Sequence, residues 1–140
     1  MLTEASRAIG KPRIVVSEID HRRLSDLATG ALSKFPDVAE ALAYEMDRAE
    51  VVAAGAVPQN VVQMGSVVEF RTEAGQQRRI TLVYPPEADI SANRISILTP
   101  IGTALIGLAP GQSIRFATYD GREHALSVLG VEPPAESDAD

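Results

Sequence analysis

The apolar residues of this chain change their period at Pro58, and that switch limits the possible folds more than any other feature. Before it, Leu24, Leu27, Ala28, Ala31, Leu32 and Phe35 recur every three or four residues, which sets them along one face of a helix. A second stripe runs through Val38, Ala41, Leu42, Glu45, Met46, Ala49, Val52 and Ala53, with Asp47, Arg48 and Glu50 on other faces. After Pro58 the alternation is every second residue, in segments 67–73, 78–85, 94–100, 112–121 and 122–132. That is the period of half-buried strands.

The punctuation agrees. Arg13–Val16 offers a short β segment, and Asp20 is placed to cap the first helix. Gly30 weakens that helix by about 1 kcal/mol relative to alanine, and Pro36 closes it. Asp37 can cap the second helix, with Glu40 three residues later as in a capping box. Gly55 and Pro58 stop it, so the predicted second helix has about 18 residues and a length of roughly 27 Å. Two amphipathic helices joined by a short turn predict an antiparallel helical hairpin. Ala74–Gln77 and Asp120–Gly121 supply turns between strands. The expectation is an α+β fold: a short N-terminal hairpin, then a mostly antiparallel sheet with one short helix near Ile101–Leu108. The boundaries follow as an arm at 1–12, a hairpin at 13–56, a sheet domain at 57–133 and an acidic tail at 134–140.

Charge narrows the function. The net charge of −6 is uneven. Residues 61–131 balance six arginines against six acids, whereas the final nine residues carry four acids and no base. Much of the negative charge therefore belongs to a solvated tail. Sequence-specific nucleic-acid binding is not expected, because such binding needs a basic face. The chain has no cysteine, which removes thiol nucleophiles, disulfides and thiolate metal sites. No run approaches the roughly 20 apolar residues of a membrane span, and the N-terminus has no apolar signal core. A cytoplasmic location is expected.

Catalytic signals are weak. No phosphate-binding glycine loop or nucleophile elbow occurs. His21 and His124 stand alone, without a neighbour at metal-ligand spacing. Asp37 and Glu40 share a helix face and would suit Mg²⁺ from one side, but N-capping and the positive helix end account for the same spacing. No catalytic residue, metal or cofactor is expected. A short helix over a five-stranded sheet would also suit a peptidyl-prolyl isomerase. Three Phe, three Tyr and no Trp leave few aromatics for a proline pocket.

The most distinctive stretch is "ISILTPIGTALIGLAPGQSIRF", residues 95–116. It is nearly uncharged and is bent by Pro100 and by Pro110-Gly111. An apolar elbow held rigid by proline suits a protein-binding hot spot, while Leu105, Ile106 and Leu108 are expected to face inward. The stretch resembles the C-terminal domain of the GreA/GreB transcript-cleavage factors and their S-P-x-x-x-A-L-[IL]-G pattern. Thr99 stands at the Ser position, and Pro100, Ala104, Leu105, Ile106 and Gly107 match. "VVQMGSVVEF" (61–70) is similar to the first strand of that domain. "LVYPPEADISANRISILTP" (82–100) looks like its acidic linker and following strand. "ALAYEMDRAEVV" and "VPQNVVQMGSVVEFR" look like a branch of the family with a shortened helical hairpin.

The resemblance implies an FKBP-like sheet domain with a strongly twisted antiparallel sheet. It implies RNA polymerase as partner, bound at the rim of the secondary channel. Thr99, Pro100, Ile101, Gly102 and Thr103 are the implied contacts. Arg22, Arg23, Lys34, Asp37 and Glu40 are further candidates on the hairpin; Arg48 also carries charge there. Gre factors place paired acids at the tip of a long coiled coil. The hairpin expected here is too short for that reach, so a non-enzymatic regulator that competes with Gre factors is expected. A cleavage-stimulating factor using Asp37 and Glu40, and an FKBP-like isomerase or chaperone, are the alternatives. A monomer is favoured.

Overall fold

The structure, a computed structural model, describes residues 11–134. Most of the expected arm at 1–12 and of the acidic tail at 134–140 lies outside those residues. The fold begins with β1 (Val15–Ser17), helix α1 (Glu18–Ala31), helix α2 (Pro36–Arg48) and β2 (Glu50–Val52). It continues through β3 (Val67–Thr72), β4 (Gln77–Val83), β5 (Arg94–Ser96), helix α3 (Pro100–Leu105), β6 (Ser113–Ala117) and β7 (Glu123–Glu132). Two short 3₁₀ turns, Pro85–Glu87 and Ile90–Ala92, lie between β4 and β5.

The architecture is α+β. Strands β3–β7 form one sheet in the order β5-β4-β3-β7-β6, antiparallel except for the parallel β4–β5 pair. The register between β3 and β7 slips between Glu69 and Phe70, with Leu129 as the extra residue. Such a bulge bends the strand and increases its twist. Val68, Phe70, Ile80, Leu82, Leu126 and Val128 face the core on alternate positions. They join Leu24, Ala28, Leu42 and Met46 of the helices in one apolar cluster.

Helix boundaries differ from expectation for local reasons. Ser17, not Asp20, caps α1: its Oγ accepts the Asp20 N–H at 3.0 Å. Glu18 and Asp20 then sit in the first turn, where negative charge is favoured. Pro36 occupies the first position of α2, and Phe35 precedes it without a side-chain cap. Proline has its φ preset for that place and lacks the N–H that would go unpaired there. The Asp37–Glu40 capping box is therefore not formed. The end of α2 is also earlier than expected. Ala49 leaves the helix with ψ 146°, and Glu50 N–H donates to the Ile14 carbonyl at 2.9 Å. Val51 and Val52 become a strand that pairs in parallel with β1. At 13 residues, α2 is about 20 Å long at 1.5 Å per residue.

The helices and the sheet meet at a backbone seam. Val15 N–H donates to Gly107 C=O at 3.2 Å, Gly107 N–H to Val62 C=O at 3.0 Å, and Val62 N–H to Leu108 C=O at 2.8 Å. Gly107 has φ +83°, and a β-carbon there would lie 2.6 Å from the Ile14 β-carbon and 3.2 Å from Val15 backbone atoms. Gly111 has a similar φ of +90° but no atom within 4 Å of such a carbon. Gly111→Ala should therefore cost only the left-handed backbone penalty, about 1–2 kcal/mol. Gly107→Ala should add ~1–3 kcal/mol of overpacking. Urea denaturation of both variants checks this, and equal losses would show that the seam tolerates a methyl group.

Candidate partner-binding surface

The elbow is a short capped helix pinned to the strand before it. Thr99 is extended at the N-cap of α3, where its Oγ1 accepts the Gly102 N–H at 3.0 Å and donates to Ser96 C=O at 2.7 Å. Pro100 fills the first helical position. Thr103 is buried and donates to Ile97 C=O at 2.8 Å. Gly102 is buried too, and a β-carbon there would lie 2.2 Å from the Ser96 carbonyl oxygen. The five implied contact residues thus divide. Gly102 and Thr103 hold the elbow from inside, while Thr99, Pro100 and Ile101 are half-buried at the surface. Ile101 also packs on the core. As expected, Leu105, Ile106 and Leu108 are fully internal.

A cleft of about 740 Å³ opens beside the elbow. It is lined by Asp37, Val38 and Ala41 of α2 and by Pro100 and Ala104 of α3. Residues of β6 and the turn through Tyr119 and Gly121 complete the lining. The structure therefore brings Asp37 and Pro100 to one site, although they lie far apart in sequence. Glu40 is exposed and does not line the cleft. Lys34 is exposed on the segment joining α1 to α2, and Arg22 and Arg23 are exposed on α1. Arg23 borders a separate shallow depression with Asp26, Leu27 and Tyr84.

Sequence reasoning missed a charged network that contributes Lys11 and Glu45 to the cleft lining. Glu45 is buried, with Arg48 Nη2 at 2.7 Å and Lys11 Nζ at 3.7 Å. Arg48 also donates to the Pro12 carbonyl. A buried carboxylate needs such partners, because removing one leaves a charge without compensation. The spacing of Glu45 and Arg48 was visible on the helix, but nothing local announces Lys11. Among the described residues no group of three His, Cys, Asp or Glu is arranged to hold a metal ion. His21 Nε2 lies 3.2 Å from the Met46 carbonyl, and His124 Nδ1 lies 3.3 Å from Glu73. Among the described residues no helix is long and apolar enough to cross a membrane.

These features coincide with a family match. Residues 57–133 match the family model "Transcription elongation factor, GreA/GreB, C-term". The chain belongs to the GreA/GreB family. Residues 12–52 match a second model, "Rnk N-terminus". The chain is 34% identical over 133 residues to the regulator of nucleoside diphosphate kinase of Escherichia coli (strain K12), covering 94% of this chain and 98% of that protein. It is 29% identical over 132 residues to transcription elongation factor GreA of Methylobacterium nodulans, covering 88% of this chain and 83% of that protein. A solved structure described as prokaryotic transcription elongation factor GreA/GreB from Nitrosomonas europaea is 39% identical, with a TM-score of 0.67. That match covers 87% of this chain and 99% of the other.

Behind the elbow, Asp20 joins α1 to the loop before β3, with Oδ2 accepting the Met64 N–H at 3.4 Å. Burial raises the Asp20 carboxyl above its ordinary value, against the lowering influence of the Met64 N–H and the Arg23 charge. A raised folded-state value means that the folded protein holds this proton more tightly than the unfolded chain. The contribution to stability is therefore greatest at low pH and falls as pH rises from the ordinary to the raised value. Asp20→Asn keeps an acceptor for Met64 and removes the charge. Its stability relative to wild type should increase as pH rises from about 3 to about 7, across the carboxylate range. Urea titrations at steps of pH measure this, and a pH-independent difference would contradict the shift.

Proposed function

We propose that the protein is a non-enzymatic transcription regulator that binds RNA polymerase at the rim of the secondary channel and competes there with Gre factors. The observation that carries this reading is the elbow. Thr99, Pro100 and Ile101 reach the surface on a helix start fixed by the Thr99 cap and by the buried Gly102 and Thr103. A preformed apolar contact loses little entropy on binding. In this reading the sheet domain is FKBP-like, and α1 and α2 are a truncated form of the Gre coiled coil. The protein acts as a cytoplasmic monomer without cofactor. An effect on nucleoside diphosphate kinase, the subject of the Escherichia coli relative's name, follows indirectly through transcription.

Two features favour occupancy over transcript cleavage. The segment between the helices, Leu32–Phe35, contains Lys34 and no carboxylate. Asp37, in the first turn of α2, lines the cleft that Pro100 also lines, and Glu40 does not. Labelled GreB bound to core RNA polymerase provides the test. The wild-type protein should displace it, and Pro100→Ala combined with Ile101→Asp should weaken displacement at least about tenfold, as loss of a hot spot does. Thermal melting must show the double variant folded, because Ile101 also packs inward. No displacement by the wild type would overturn the reading.

A further inference from the structure

We infer that the outer edge of β6 is a docking site for an extended polypeptide segment carrying a basic side chain. This inference goes beyond the elbow and does not depend on RNA polymerase being the partner. Among the described residues β6 is the outer strand of the sheet and pairs only with β7. The ladder places the backbone groups. Val128 N–H donates to Gln112 C=O and Thr118 N–H donates to Arg122 C=O, in line with the Ile114–Leu126 and Phe116–His124 register. Even-numbered residues of β6 therefore turn their N–H and C=O toward β7. The odd-numbered ones, Ser113, Arg115 and Ala117, turn theirs outward. The Arg115 carbonyl confirms the direction, because it accepts a hydrogen bond from Lys11 Nζ at 3.3 Å.

The cleft lies off this edge. Its lining includes Ile114 and Phe116 from one face of the strand and Arg115 and Ala117 from the other. Lys11, bonded to the outward Arg115 carbonyl, also lines the cleft, so the cleft reaches this edge. At about 740 Å³, it is within the size range of binding pockets. A strand added there would lie roughly 4.8 Å from β6, and main-chain bonds would give it affinity. Its inner side chains would meet Val38, Ala41, Pro100 and Ala104.

Charge chooses the occupant. Around the cleft, Lys11 pairs with Glu45 and Arg115 with Glu123. Asp37 also lines it and has no ion-pair partner among the described residues. A basic side chain on the incoming strand is its complement. Lys11 has a further role as guard: a lysine at a sheet edge discourages unwanted pairing, and its ammonium must leave the Arg115 carbonyl before a strand can seat.

The probe is a blocked hexapeptide of alternating valine and threonine with arginine in place of the third-position valine, on the same face as the inner valines, titrated into the full chain. Amide exchange should slow at least about tenfold at Ser113, Arg115 and Ala117, as for amides newly hydrogen-bonded in a strand. Asp37→Asn, or glutamate for arginine in the peptide, should weaken binding about two- to fivefold, the range of an exposed ion pair. Ala117→Pro should abolish binding while leaving the ladder to β7 intact, since proline is tolerated where a strand's N–H faces outward. A peptide N-methylated at alternate amides removes the same bonds from the ligand and keeps the test decisive if Ala117→Pro fails to fold. Unchanged exchange at saturating peptide, or equal binding of the N-methylated form, would overturn the inference. A concentration-dependent dimer abolished by Ala117→Pro would also overturn it, by assigning the edge to a second copy.

Discussion

The arrangement of this protein depends on the close crossing of Gly107 and the Ile14–Val15 backbone. Four distant segments share hydrogen bonds there: β1, β2, the loop at Val62 and the end of the elbow. The Val15–Gly107 bond requires an approach that a β-carbon would block at 2.6 Å. Glu50 N–H on the Ile14 carbonyl adds the strand after α2. The helices are thus tied at both ends of their run to the same place on the sheet, through β1 before α1 and β2 after α2. Buried Leu24, Leu42 and Met46 then pack on the sheet residues in one cluster. Without the crossing, that apolar face would have no fixed position over the sheet.

The elbow is rigid for a related reason. It begins where Gly102 approaches the Ser96 carbonyl and ends at Gly107, so both ends use contacts too close for a side chain. Between them, α3 has only six residues, too few to be a stable helix alone. The Thr99 cap and the buried Thr103 hydroxyl supply local bonds, and Leu105, Ile106 and Leu108 anchor it inside. The exposed part of the motif is small, and most of its residues serve to hold that part still. This explains why the stretch reads as apolar in the sequence although it adjoins the surface. Leu105, Ile106 and Leu108 belong to the core, whereas Thr99, Pro100 and Ile101 reach the surface.

The five strands were legible because alternation is a local property of a strand, and each segment carries its own turn signals. Features that depend on distant partners were not. Val52 continues the apolar stripe of α2, so a helical reading is natural, and only β1 more than 30 residues earlier makes Val51 and Val52 a strand. Ser17 and Asp20 are both good caps, and the choice falls to Ser17 because β1 holds it extended. At α2, the fixed backbone of Pro36 takes the helix start one residue before Asp37. The cleft was illegible for the same reason. Lys11, Asp37, Pro100 and Tyr119 meet only through the tertiary fold.

Helix length connects the fold to function. A short α2 and a strand directly after it keep the helices against the sheet, whereas a longer pair would project further at 1.5 Å for each added residue. The first-turn carboxylate Asp37, beside the segment joining the helices, lines the cleft that α3 also lines. Leu32 and Phe35, on the segment joining the helices, are exposed beside Lys34. The segment joining the helices thus presents apolar and basic groups, and the acid next to it lines the cleft. A group that chelates a metal must deliver carboxylates together to the ion. This arrangement separates Asp37 and Glu40 in role, with one at the cleft and the other facing solvent. In the proposed reading the surface serves contact and recognition, with charge orienting a partner.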